Sequence, residues 1–163
     1  MTIQTGDKLP SNEFSVMGEN GPEKLSSTAL FSGKRVVLFA VPGAFTPTCS
    51  AAHLPGFIRL ADQLKSNGVD DIACVSVNDV FVMDAWSKHS GAENIKMLAD
   101  GNADFTRAIG LTLDASMFGM GTRSKRYAMI IEDGVVQHLA VDEAGLEHSA
   151  AEAILAVLET AQP

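Results

Sequence analysis

Cysteine is scarce in this chain. Two in 163 residues, at 49 and 74, are too few for a disulfide framework. Basic residues are also in short supply: 12 Lys and Arg against 20 Asp and Glu leave a formal net charge of −8. That balance disfavours nucleic acid and anionic membrane surfaces as partners. No apolar run approaches the ~20 residues of a membrane span. The start, Met1-Thr2-Ile3-Gln4-Thr5-Gly6-Asp7-Lys8, has no basic segment followed by an apolar core. No secretory leader is expected, and the cytoplasm is the expected compartment. No repeat, low-complexity tract or long linker divides the chain. One domain over residues 1–163 is expected, 46% apolar and 20% charged, long enough for a substantial core.

What is present centres on residues 41–50. The apolar run at 35–41 reads as a buried strand. Pro42 and Gly43 then mark a loop. Leu54, Phe57, Ile58 and Ala61 follow at helical spacing. Thr46 reads as the helix N-cap and Pro47 as its first residue, which puts Cys49 in the first turn. There the backbone N–H groups lack helical partners and the macrodipole is positive, so thiolate is favoured over thiol. An ordinary thiol, with a pKa of ~8.5, is only about 3 per cent ionised at pH 7. The bland alternative is that Cys49 is a small apolar residue in a tight loop.

The rest of the chain supplies the frame. Residues 1–24 read as irregular, with a short strand around Phe14 and Val16. A helical turn is expected over 25–31. The helix after Thr46 is expected to run to Asn67, with a kink at Pro55 and Gly68 as its stop. Residues 72–77 read as a central strand, 80–90 as a helix, 96–99 as a short strand and 104–109 as a short helix. Residues 112–124 read as irregular. Asp133-Gly134 joins strands 127–131 and 135–140 as a hairpin. A last helix over 149–160 presents Ile154, Val157, Leu158 and Ala161 on one face. This order implies an α/β sandwich with a mixed central sheet flanked by helices. A helix that opens on a cysteine straight after a core strand suggests a thioredoxin-like fold. Thr46 stands where the first residue of a Cys-x-x-Cys pair would be, so dithiol exchange is disfavoured.

Pro42, Thr46 and Cys49 match the pattern Pro-x-x-x-Thr-x-x-Cys position for position. The longer blocks 42–50, 53–57, 74–79, 81–86 and 123–127 accompany them in order. On these residues the sequence resembles the peroxiredoxins, and among them the type II, or peroxiredoxin-five, class. The resemblance runs from about Gly6 to the last helix. It implies a thiol peroxidase acting on hydrogen peroxide and alkyl hydroperoxides, with no metal or organic cofactor. By the same likeness Cys49 is the peroxidatic cysteine, Thr46 the orienting hydroxyl, Pro42 the shield and Arg126 the guanidinium that faces sulfur and peroxide. Arg123 is a nearby rival for that last role. The class also implies a homodimer. Animal members of the class carry a resolving cysteine near the last helix, and residues 143–149 contain none. An external thiol is therefore expected to reduce the Cys49 sulfenic acid, glutathione with glutaredoxin first and thioredoxin second. Cys74, in mid-strand, reads as an inert core residue; the alternative, a Cys49–Cys74 disulfide, requires their Cα atoms to come within about 7 Å and the first helix to unwind locally.

Other residues carry weaker readings. His53, four after Cys49, is a surface or structural histidine, or else a partner of the thiolate. Cys49, His53 and Cys74 lack a metal-ligand spacing. Phe45, Phe81 and Phe118 read as core, or as an apolar mouth or subunit contact. Met117, Met120 and Met129 read as gap fillers, and Asp79 and Asp100 as solvated loop residues. Two rival functions stand beside the peroxidase: a thiol-disulfide oxidoreductase, and a non-catalytic redox sensor.

Overall fold

The computed structural model describes residues 2–160. In chain order the elements are β1 (Glu13–Gly18), β2 (Gly21–Ser26), α1 (Ser27–Phe31), β3 (Arg35–Ala40), a π-helical turn (Cys49–His53), α2 (Leu54–Ser66), β4 (Asp71–Ser76), α3 (Val80–Ser90), β5 (Lys96–Ala99), α4 (Asp104–Ala108), β6 (Thr112–Asp114), a 3₁₀ turn (Ser116–Phe118), β7 (Thr122–Ser124), β8 (Arg126–Glu132), β9 (Val135–Asp142) and α5 (Ala151–Thr160). Seven strands make one sheet in the order β2-β1-β5-β4-β3-β8-β9. β3 and β5 flank β4 in parallel. β8 lies antiparallel to β3, and β9 to β8.

The apolar run of β3 is continuous because the strand is covered on both faces. Val37 and Phe39 pack with Phe57, Trp86 and Leu158, from α2, α3 and α5. Val36, Leu38 and Ala40 face the other way, with Phe31 of α1 and Phe105 of α4. The result is the expected thioredoxin-like α/β layering. Phe39 stacks on Phe57 with ring centroids 4.0 Å apart, which ties the central strand to α2. The β8–β9 turn has Asp133 at φ 49° and Gly134 at φ 79°, the positive pair that a two-residue hairpin turn requires.

Several expectations are corrected. Residues 13–26 form a hairpin, with β2 as an edge strand whose sequence, Gly-Pro-Glu-Lys-Leu-Ser, carries no apolar alternation. Residues 112–124 are not irregular throughout: β6 and β7 pair as a two-stranded ribbon around the 3₁₀ turn. The helix over 46–67 is not one kinked α-helix. It opens at Pro47, widens into the π turn and becomes α2 at Leu54, so that Pro55 falls in the first turn of α2. A proline there needs no intrahelical donor, and the wider turn before it absorbs the ring. Asp79 is an exposed loop residue, as expected, and also serves as the N-cap of α3, accepting from Val82 N at 2.8 Å. Asp100 is buried and accepts from Phe105 N, Thr106 N and the Thr106 hydroxyl. Ala161 of the last helical face lies outside the described residues.

Candidate active site

The end of β3 delivers the chain to the loop at 41–48, and a short polar network fixes that loop. Asn78 Oδ1 accepts from Ala44 N at 3.0 Å and from the Ser76 hydroxyl at 2.7 Å. The Ser76 hydroxyl also lies 3.1 Å from the Val41 carbonyl. Gly43 is packed so closely that a Cβ there would meet Thr46 Cγ2 at 3.0 Å, Arg123 Nη1 at 3.2 Å and Met120 Cε at 3.3 Å. Phe45 holds φ at 64°, a strained value for a side chain of that size.

Cys49 opens the π turn and is buried, at 1% exposure. Arg126, the first residue of β8, reaches under it: Nη2 donates to the Cys49 sulfur at 3.2 Å. A guanidinium at that distance, out of bulk water, is a charged donor to the sulfur. The Arg126 Nη1 meets His53 Nδ1 at 2.8 Å, and His53 Nε2 meets the Ser149 carbonyl at 3.0 Å. A carbonyl only accepts, so the ring proton sits on Nε2 and Nδ1 accepts from the arginine. His53 is 1% exposed and packs against the stacked pair Phe39 and Phe57. Burial, then the adjacent Arg126 charge, lowers its pKa to about 4, against weaker opposing effects of Ser149 and Asp142. His53 is thus neither a surface residue nor the thiolate's partner. Both ring nitrogens are engaged, so it is no metal ligand either.

Thr46 does sit at the helix start, since its carbonyl accepts from Ser50 N at 2.9 Å. Its hydroxyl does not cap. It donates to the Gly43 carbonyl at 2.6 Å, which leaves the oxygen lone pairs open. Pro42 is half-buried beside Arg126, on a cavity of about 140 Å³ that Thr48, Leu113, Lys125 and Glu143 also line. A larger cavity, of about 350 Å³, lies between α3, β5 and the first hairpin, away from the thiol. Arg123, the rival arginine, braces the loop instead: its Nε donates to the Met120 carbonyl at 3.0 Å and Nη1 lies 3.5 Å from the Pro42 carbonyl.

Cys74 lies mid-strand in β4, fully buried, in the same core cluster as Cys49. Burial pushes its thiol up, the neighbouring Cys49 adds to this, and Arg126 opposes it. Asp142 ends β9 and organises the next turn. Partial burial works against its charge. Amides of Glu147, His148 and Ser149 and the Ser149 hydroxyl outweigh this and hold the carboxyl well below the usual range. The sequence pointed to His53 by its spacing from Cys49. It gave no signal for Asp142, whose donors are supplied by the local backbone.

Fold and site together define a thiol-based redox protein: a thioredoxin-like sheet that presents one cysteine to a guanidinium. The family model described as Redoxin matches residues 4–155. Reduced Prx3 of Vibrio vulnificus, solved in complex with hydrogen peroxide, has a TM-score of 0.94 and 57% identity, over 96% of this chain and 99% of that one. Peroxiredoxin-2C of Oryza sativa subsp. japonica is 48% identical over 96% of this chain and 98% of its own. Peroxiredoxin-2E, chloroplastic, of Arabidopsis thaliana is 46% identical over 96% of this chain and 70% of its own. The chain belongs to the redoxin family and, within it, to the type II peroxiredoxins. Its activity is that of a thiol peroxidase.

Proposed function

We propose that the protein reduces hydrogen peroxide and small alkyl hydroperoxides at Cys49 and is recycled by an external thiol. The observation that carries the reading is the 3.2 Å contact between Arg126 Nη2 and the Cys49 sulfur. The sulfur attacks the terminal peroxide oxygen as a thiolate. An S–O bond forms, the O–O bond breaks, and the electron pair leaves with the far oxygen, which takes up a proton as water or alcohol. Arg126 faces the sulfur and stabilises the charge that develops on the departing oxygen. Thr46 Oγ1 has its proton committed to Gly43, so it accepts from the peroxide O–H and aims the attacked oxygen. Pro42 offers no N–H to compete and shields the sulfur from water.

The Cys49 sulfenic acid then condenses with a thiol, releasing water and forming a mixed disulfide. A second thiol reduces that disulfide and restores Cys49. Cys74 is a poor resolver, because a buried neutral thiol in a central strand is not nucleophilic. Residues 143–149 supply no cysteine. Glutathione with glutaredoxin is the favoured reductant and thioredoxin the second. We also infer a homodimer, because Phe45, Phe81, Met117 and Phe118 are 49%, 64%, 84% and 74% exposed. The test is steady-state peroxide turnover by wild type and Cys74→Ser with each reductant system. Turnover retained by Cys74→Ser with glutathione and glutaredoxin supports the reading. Loss with every reductant overturns the single-cysteine cycle.

A further inference from the structure

We propose that Lys125 and the small cavity beside Pro42 hold a carboxylate of the thiol that recycles Cys49, so that glutathione is taken in preference to a thiol without one. This rests on the external-thiol cycle proposed above and names where that thiol docks.

The cavity adjoins the reactive sulfur. Thr48, the residue before Cys49, and Arg126, which touches the sulfur, both line it. Pro42 and Leu113 give it an apolar wall. At about 140 Å³ it is smaller than the roughly 300–1,000 Å³ of pockets that enclose a whole ligand. It suits one end of a small molecule whose sulfur reaches Cys49.

The charged groups facing this space are Lys125, Arg126, Asp142 and Glu143. Two of them are committed inward. Arg126 has one terminal nitrogen on the sulfur and the other on His53. The Asp142 carboxylate is taken up by three amides and the Ser149 hydroxyl. Lys125 is different. Its side chain is 31% exposed, and among the described residues its ammonium has one carboxylate partner, Glu143 Oε1 at 3.0 Å. Glu143 is itself 73% exposed, and a pair so open to water loses little when another carboxylate replaces it. An ammonium has three donors, so Lys125 is also able to hold both carboxylates at once. The Thr48 hydroxyl, exposed and making no capping bond, is a further donor on the same rim.

Glutathione carries a carboxylate on each arm beside its cysteine, so one arm can rest on Lys125 while the sulfur meets Cys49. A chain of net charge −8 repels such an anion elsewhere. In the step itself the glutathione sulfur attacks the Cys49 sulfur. An S–S bond forms, the S–O bond breaks, and the departing hydroxide takes the thiol's proton as water. Lys125 makes none of these bonds. It holds the far end and raises the local concentration of the attacking sulfur.

The experiment oxidises Cys49 with hydrogen peroxide and follows formation of its mixed disulfide by rapid quenching and mass spectrometry. The thiols are glutathione, its diethyl ester and 2-mercaptoethanol. The proteins are wild type, Lys125→Met, Lys125→Arg and Glu143→Gln. Lys125→Met is expected to slow the reaction with glutathione roughly 5- to 10-fold, and with the two carboxylate-free thiols far less. Lys125→Arg keeps the charge and is expected to keep most of the rate. Glu143→Gln frees the ammonium and is expected to speed glutathione alone. In the wild type, added salt is expected to slow glutathione more than the other thiols, and this readout needs no variant to fold. An equal loss with all three thiols in Lys125→Met, or no loss with glutathione, overturns the proposal. So does a Lys125→Met that reacts normally with glutathione but is oxidised slowly by a carboxylated alkyl hydroperoxide, since the site then serves the oxidant. A wild type that forms no mixed disulfide with any of the thiols would instead overturn the external-thiol cycle, and the docking site with it.

Discussion

Arg126 is a fixed charge, and its value to the chemistry lies in where its N–H groups point. Arg126→Ala is expected to slow oxidation by a factor on the order of 10² to 10³, checked by quenched-flow rates. Cys49→Ser is expected to abolish peroxide consumption. Thr46→Val keeps the shape but loses both the bond to Gly43 and the acceptor for the peroxide O–H. It is expected to lower the oxidation rate while leaving the thiolate absorbance nearly intact. His53 ties the site to stability through pH. Its folded pKa of about 4 lies below the ordinary 6.5, so the unfolded chain takes up a proton first as pH falls. Stability is complete above about pH 6.5 and declines towards pH 4, by roughly 3 kcal/mol at about 1.4 kcal/mol per unit. Urea unfolding at pH 7 and 4.5 measures the loss, and His53→Gln is expected to flatten it. Asp142 acts lower on the scale: its depressed carboxyl stabilises the fold above about pH 4 and ceases to do so only as it protonates.

The elements that could be read from the chain were those whose own residues demand a partner on both sides. β3 was legible because a two-sided strand is apolar throughout, and the β8–β9 hairpin because Asp-Gly suits positive φ at both turn positions. β2 was not legible: an edge strand gains its order from backbone pairing with β1 and needs no apolar alternation. The same holds for the β6–β7 ribbon, whose side chains are largely exposed. The π turn reads from sequence as a kink at Pro55, because a proline inside a helical pattern does not tell a bend from a widened turn. The spacing of Thr46, Pro47 and Cys49 nonetheless places Cys49 correctly at the helix start. Asp100 shows why a polar loop residue is ambiguous. Its carboxylate closes the start of α4, where Ala103 holds φ at 62° and offers no side-chain cap. Asp100→Ala strands two amides and a hydroxyl in the interior, so a loss of about 3 kcal/mol is expected in chemical denaturation.

For the molecule as a whole, the residues with two readings are the informative ones. Phe45, Phe81 and Phe118 read as core, or as an apolar mouth or subunit contact, and the fold leaves them at the surface. Composition cannot separate a core aromatic from one held for a partner, since both gain by leaving water. On the homodimer proposed above, Phe118→Asp, at a residue 74% exposed, is expected to leave the fold intact and to shift sedimentation towards the monomer. Trp86 belongs at this scale too. It is the chain's one tryptophan, buried in the core, and its Nε1 donates to the Ser50 hydroxyl at 3.0 Å, next to the reactive cysteine. The protein therefore carries a built-in optical probe. Unwinding of the turn at Ser50 would cut the indole's bond, so a change in tryptophan emission on adding peroxide to the reduced protein is the expected outcome, checked by stopped-flow fluorescence without a dye or a label.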